Sequence, residues 1–192
     1  KVTTVMTHDI FSPPQASRIY AYPNIAAYEI LATNTVDFAP LAGQLTDFTA
    51  IPQPKENVEI HRELAALVAH IELSKQLIFS EHMIESYRDS LYSVWESKNE
   101  AVFNNSKAYG LEVAAHVSKW IDGDNYKQTR TMPKFTVISD DPARWQPTPP
   151  SYADGIEPHW SKIRPFVINT PDQFKPVPPP PFSMEKDSDF YK

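Results

Sequence analysis

The middle of the chain is written in a helical period. Ile60, Leu64, Leu67, Ile71 and Ile78 recur at spacings of three, four and seven, which puts them on one stripe of a helix. This predicts a helix from about Lys55 to Phe79, where Ala65, Ala66 and Ala69 let a neighbouring helix come close. Ser80 with Met83 opens the next helix, and Ile84, Tyr87, Leu91 and Val94 continue the same pattern. A further helix is predicted from about Asn104 to Ile121, with Val113, Val117 and Trp120 on one face. Gly123 follows where a left-handed C-cap is expected. Upstream, Ser12 is a good N-cap, and Pro13 and Pro14 fall in a first turn whose missing N–H groups cost nothing. That helix should kink or split at Pro23 and resume from Asn24 to Leu31. Residues Thr33 to Pro54 read as a connection with short helical pieces. Three or four amphipathic helices joined by short links imply an antiparallel helical bundle, an all-α fold.

Proline divides the chain. None occurs from Asn57 to Met132, whereas thirteen of the 19 lie between Pro133 and the C-terminus. Each lacks a donor and clashes with a preceding helical turn, so that stretch cannot continue as helix. The expected organisation is a helical bundle over residues 1–124 and an irregular, proline-rich C-terminal arm over 125–192. Met132 to Ile138 reads as a short extended piece. Trp145, Tyr152, Trp160 and Phe166 each carry enough apolar area to need a surface to lie on. The arm therefore reads as a strap against the bundle or against something outside this chain.

Composition narrows the function classes. With 41% hydrophobic residues the chain is too apolar for a disordered polyampholyte. No run approaches the roughly 20 apolar residues that span a bilayer. The formal charge of −6 argues against a nucleic-acid partner, which would demand surplus Lys and Arg. Lys127, Arg130 and Lys134 form only a small basic cluster. The absence of Cys excludes disulfides and thiolate chemistry.

Catalytic patterns are scarce. The six histidines include no Glu-x-x-His and no His-Glu-x-x-His, so neither a ferritin-like di-iron site nor a zincin can be built. Glu112 with His116, and His82 with Glu85, share helix faces and read as exposed polar pairs. Four scattered glycines form neither a phosphate loop nor a Gly-x-Ser-x-Gly elbow. No metal ligands and no catalytic residues are assigned. Lys175-Pro176-Val177-Pro178-Pro179-Pro180-Pro181 fits the basic-x-x-Pro-x-x-Pro pattern of polyproline ligands, and equally a stiff spacer.

Two segments carry a family resemblance. Ser12-Pro13-Pro14-Gln15-Ala16-Ser17-Arg18-Ile19-Tyr20-Ala21-Tyr22, followed by Ala26-Ala27-Tyr28-Glu29, resembles the opening helix of the vanadium-dependent haloperoxidase and type 2 phosphatidic acid phosphatase superfamily. Trp145-Gln146-Pro147-Thr148-Pro149-Pro150, Pro158-His159-Trp160, Arg164-Pro165-Phe166, Asp172-Gln173-Phe174 and Pro178-Pro179-Pro180 resemble the strap of its soluble bacterial members. The resemblance implies two helical bundles, with a vanadate or phosphate site in the second. The family's lysine seven residues ahead of an Arg-Pro, its Ser-Gly-His and its Arg-x-x-x-x-x-His have no counterpart here. Arg164-Pro165 is the only Arg-Pro, and Glu157 stands seven places before it.

The chain is thus expected to be the non-catalytic N-terminal half of a haloperoxidase-like or acid-phosphatase-like enzyme, inactive alone and binding no cofactor itself. Vanadate or phosphate would belong to the complete protein, and the expected partner is its own C-terminal catalytic bundle. Arg144, Trp145, His159, Trp160 and Arg164 are the candidates for the docking surface or pocket rim. The resemblance also implies an extracytoplasmic location; a homo-oligomer is left open. The rival reading is a free-standing helical binding module whose polyproline arm recruits partners. A complete module should bury its own apolar faces, while a half-enzyme should leave large ones open.

Overall fold

Six α-helices and one 3-10 turn make up the regular structure, in a computed structural model that describes residues 1–33 and 35–192. They are α1 (Val2–His8), α2 (Pro13–Ala32), α3 (Arg62–Leu77), α4 (Glu81–Glu96), α5 (Glu100–Asp122), α6 (Tyr126–Thr129) and the 3-10 turn Trp160–Lys162. No strand occurs among the described residues, and the fold is the all-α bundle that the periodicity predicts. None of these helices is long and apolar enough to cross a membrane. Of the predicted connection from Thr33 to Pro54, Asn34 lies outside the described residues.

Local chemistry explains most of the helix ends. Ser12 caps α2, its backbone N–H donating to Gln15 Oε1 at 3.1 Å in a capping box, with Pro13 and Pro14 in the first turn. Asn99 caps α5 by accepting the Val102 N–H at 3.1 Å. Three expectations are corrected. Pro23 does not split α2, which runs on to Ala32 with the proline ring fully buried. α3 starts at Arg62 rather than near Lys55, because Asn57 takes a left-handed φ of 59° and His61 is extended, its N–H donating to Ser106 Oγ at 2.7 Å. Gly123 is not the left-handed residue (φ −86°); the chain turns two places later, at Asn125 (φ 73°). Between them Asp124 is drawn inward to meet Arg18 and Tyr22.

The structure divides into two compact units, residues 1–125 and 126–192. In the first, α3 packs against α2, α4 and α5. Its approach to α5 is close because Gly110 has no side chain: a Cβ there would stand 2.5 Å from the Ala65 carbonyl oxygen and 2.8 Å from Val68 Cβ. One cluster joins Leu64, Val68, Tyr92 and Phe103, and another joins Val5, Met6, Ile19, Ile71, Ile78 and Ile84. Each such side chain, fully buried, contributes about 1.5–3 kcal/mol of transfer free energy. Tyr22 and Phe48 meet Trp120 at centroid distances of 5.1 and 4.7 Å.

Buried polar groups tie the ends of this unit together. Arg18 Nε donates to Asp124 Oδ2 at 2.8 Å, and the Tyr22 hydroxyl donates to the same oxygen at 2.8 Å. Asp9, at the end of α1, accepts the N–H groups of Phe79 and Ser80 at 3.0 Å each and the Ser80 hydroxyl, which locks the α3–α4 turn. Burial would raise its pKa, but these hydrogen bonds hold it well below the usual carboxylate range. Glu29 is fully buried and accepts the Leu41 N–H, and desolvation raises its pKa.

The second unit is built differently. Thr129 is its one buried residue among those described, and no hydrophobic side chain in it is buried. Met132 to Ile138 pairs with no strand. Its backbone hydrogen bonds join residues only three or four apart.

Candidate functional site

Within the second unit the chain folds back so that residues 129–135 face residues 154–159 across an open cleft of about 320 Å³. Two ties hold the walls. Arg130 donates to both carboxylate oxygens of Glu157, through Nη1 at 2.9 Å to Oε1 and through Nη2 to Oε2. Glu157 sits at a left-handed φ of 49°, uncommon outside glycine, and the turn it makes leads directly into His159 and the 3-10 turn. His159 Nε2 then donates to the Pro133 carbonyl at 2.7 Å. The hydrogen bonds that Arg130 donates to Glu157 raise its pKa further, so its charge is engaged within the unit.

Aromatic contacts extend these ties. The Arg130 guanidinium lies over the Tyr126 ring, 4.6 Å from its centroid, and Trp160 meets Tyr126 edge-on at 6.4 Å. Farther along the same wall as Arg130, Phe135 meets Trp145 edge-on at 5.4 Å. Trp145 also lines a second, more open hollow with Thr148, Ala153 and Ile156. The cleft surface is therefore mixed: Met132, Pro133, Phe135 and Pro158 are apolar, while Lys134 and Asp154 add one charge of each sign.

The five sequence-predicted residues separate on this geometry. His159 lines the cleft, Trp160 backs it through Tyr126, and Trp145 meets its wall through Phe135. Arg144 turns away to Asp141, three residues earlier, at 3.2 Å. Arg164 is half-buried and does not line either hollow. Arg130, Glu157, Tyr126 and Phe135 organise the cleft and were not among the predicted residues. Arg130 and Glu157 stand 27 positions apart in a segment without periodicity, so no spacing rule could have paired them.

An oxyanion cofactor needs several cations and donors converging on one point. Here Arg130 is engaged by Glu157, Arg144 by Asp141, and His159 Nε2 by a carbonyl. The donor set around the cleft does not fit vanadate or phosphate. Among the described residues no group of three or more His, Asp or Glu is placed to hold a metal ion. On the first unit His116 turns to Thr49, 3.3 Å from both its hydroxyl and its carbonyl.

An all-α body followed by an aromatic and proline-rich arm places the chain among helical-domain proteins. Comparison with solved structures makes this specific. The chain matches the crystal structure of the first bacterial vanadium-dependent iodoperoxidase with a TM-score of 0.95 and 66% sequence identity. The match covers 99% of this chain and 46% of that one. The chain therefore belongs with the vanadium-dependent haloperoxidases and spans about half the length of that relative. No family model and no curated protein matches the sequence.

Proposed function

We propose that these residues form the structural, N-terminal half of a vanadium-dependent haloperoxidase-type enzyme. The oxyanion chemistry would be carried by residues beyond this stretch. One observation carries the reading: a chain 66% identical to a vanadium enzyme over 99% of its length has no converging set of cations and donors in its arm cleft. The arm supports it from a second side. Among the described residues it holds thirteen exposed large hydrophobic side chains and no buried one. In this reading the rest of the enzyme seats on that surface, with Trp145, His159 and Trp160 along the rim of its pocket. Arg144 and Arg164 belong to the same proposal as flanking cations.

The iodoperoxidase relative favours halide oxidation over phosphate-ester hydrolysis as the parent activity. Membership of the wider type 2 phosphatidic acid phosphatase superfamily and an exported location rest on the motif resemblance alone. The rival reading, a free-standing module with a polyproline ligand, is favoured by one feature, the complete exposure of Lys175 to Pro181. Vanadate titration followed by vanadium-51 NMR tests the assignment. The 192-residue chain is expected to leave the free-vanadate signal unchanged, while the full-length protein carrying this stretch should bind stoichiometrically and oxidise iodide. Stoichiometric binding by the short chain alone would overturn the proposal.

A further inference from the structure

The helices α3 and α4 are both 16 residues long, yet they are buried very unequally. Eight residues of α3 are buried, whereas on α4 only Ile84 and Tyr92 are. The remaining apolar positions of α4 are not scattered. Met83, Tyr87 and Val94 follow one another at spacings of four and seven, which places them along one side of the helix, where Met83, like Leu91, packs at the edge of the core cluster that holds Ile84 while Tyr87 and Val94 are exposed. Tyr87 is 45% and Val94 53% exposed, and Met83 is half-buried.

The face continues beyond the helix. Phe79, four residues before Met83, is 76% exposed and stacks on Phe11 at 4.7 Å. Beside this pair Ile10 is 87% exposed at a φ of 56°. For a β-branched residue that conformation is a true outlier, and such backbone persists only where the surroundings over-determine it. The surroundings are the Asp9 carboxylate and its hydrogen bonds to Phe79 and Ser80, which fasten the two turns together. A strained turn is thus held rigidly in a form that points an isoleucine into solvent next to an exposed phenylalanine.

We propose that Ile10, Phe79, Met83, Tyr87 and Val94 form a docking face on the helical body for the part of the same polypeptide that follows residue 192. This rests on the two-part reading above and deepens it by placing a second contact on the body, separate from the arm. The length of the relative singles out this occupant. A chain that matches over 99% of its length accounts for only 46% of that protein, so more than half of that relative has no counterpart in these 192 residues. A monomeric domain leaves a contiguous apolar face of this kind open only where something packs on it.

Single cysteines test the face, because these 192 residues contain no Cys of their own. Val94→Cys and Tyr87→Cys should react readily with a maleimide in the 192-residue chain and lose that labelling in the full-length protein. Ser93→Cys, on the same helix but off the face, should label equally in both. Phe174→Cys reports on the arm. Protection of Phe174→Cys with Val94→Cys and Tyr87→Cys still open would overturn the docking face and leave the two-part reading intact. If Phe174→Cys stays open as well, that reading fails with it. Protection of Val94→Cys already in the 192-residue chain, with the mass of two copies in solution, would assign the face to self-association and overturn the proposal.

Discussion

The body and the arm carry similar aromatic chemistry and treat it in opposite ways. Trp120 in the body is enclosed by Tyr22 and Phe48, and its indole N–H donates to the Thr46 carbonyl at 3.0 Å. Trp145 in the arm touches Phe135 on one edge and is otherwise half open. Every buried hydrophobic residue described lies at or before Ile121. The difference follows from backbone chemistry. A helix satisfies its own N–H and C=O groups and can bring a whole apolar stripe against a neighbour. A proline-rich segment has no such ladder, so its side chains find partners only in pairs. Aromatic content alone therefore does not make a core, and under the proposed function the arm is a surface for a counterpart.

The contrast can be broken most sharply at the buried ion pair of the body. Asp124→Ala leaves the Arg18 guanidinium and the Tyr22 hydroxyl without their shared acceptor, and should destabilise the body by about 3–5 kcal/mol in urea unfolding. Gly110→Ala comes next. A methyl there meets the Ala65 carbonyl, which cannot yield as a flexible side chain could, so a loss of about 1–3 kcal/mol is expected from overpacking.

Acid titration separates a third effect. The folded pKa of Asp9 is depressed below its unfolded value of roughly 3.9. Its contribution to stability is complete above that unfolded value and is lost as pH falls through the depressed folded one. Wild type should lose stability more steeply than Asp9→Asn below about pH 4, the variant being weaker at neutral pH. Parallel slopes would remove Asp9 from the account. The smallest effect belongs to the arm: Trp145→Ala should leave the melting of the 192-residue chain within about 0.5 kcal/mol of wild type. A larger loss would mean that the arm's aromatic side chains already support this chain's own fold.

What the sequence disclosed follows the range of the interactions involved. Ser12, Pro13 and Pro14 marked the start of α2 because capping and proline φ act within one turn. The stripes of α3, α4 and α5 were legible because helical periodicity is a local rule. Pro23 misled because a buried, well-packed proline can be carried through a helix by its neighbours. Gly123 misled because the turn is decided by Asp124 reaching Arg18, 106 positions away. The N-terminal helix α1 was missed altogether, since its Val and Thr residues are weak helix formers and the helix is held by burying Val5 and Met6. In the arm, His159, Trp160 and Trp145 could be singled out as chemistry without an evident partner. The Arg130–Glu157 tie that shapes their surroundings could not, because nothing local relates the two.

The central claim is that the body folds by itself while the arm needs the rest of the enzyme. Amide hydrogen exchange followed by mass spectrometry, on the 192-residue chain and on the full-length protein, addresses it directly. In the short chain, peptides from α2, α3 and α5 should be strongly protected and those from residues 133–192 should exchange at nearly open-chain rates. In the full-length protein α2, α3 and α5 should be unchanged, and the arm should become protected together with the docking face on α4. Arm peptides as protected in the 192-residue chain as those of α3 would contradict the account.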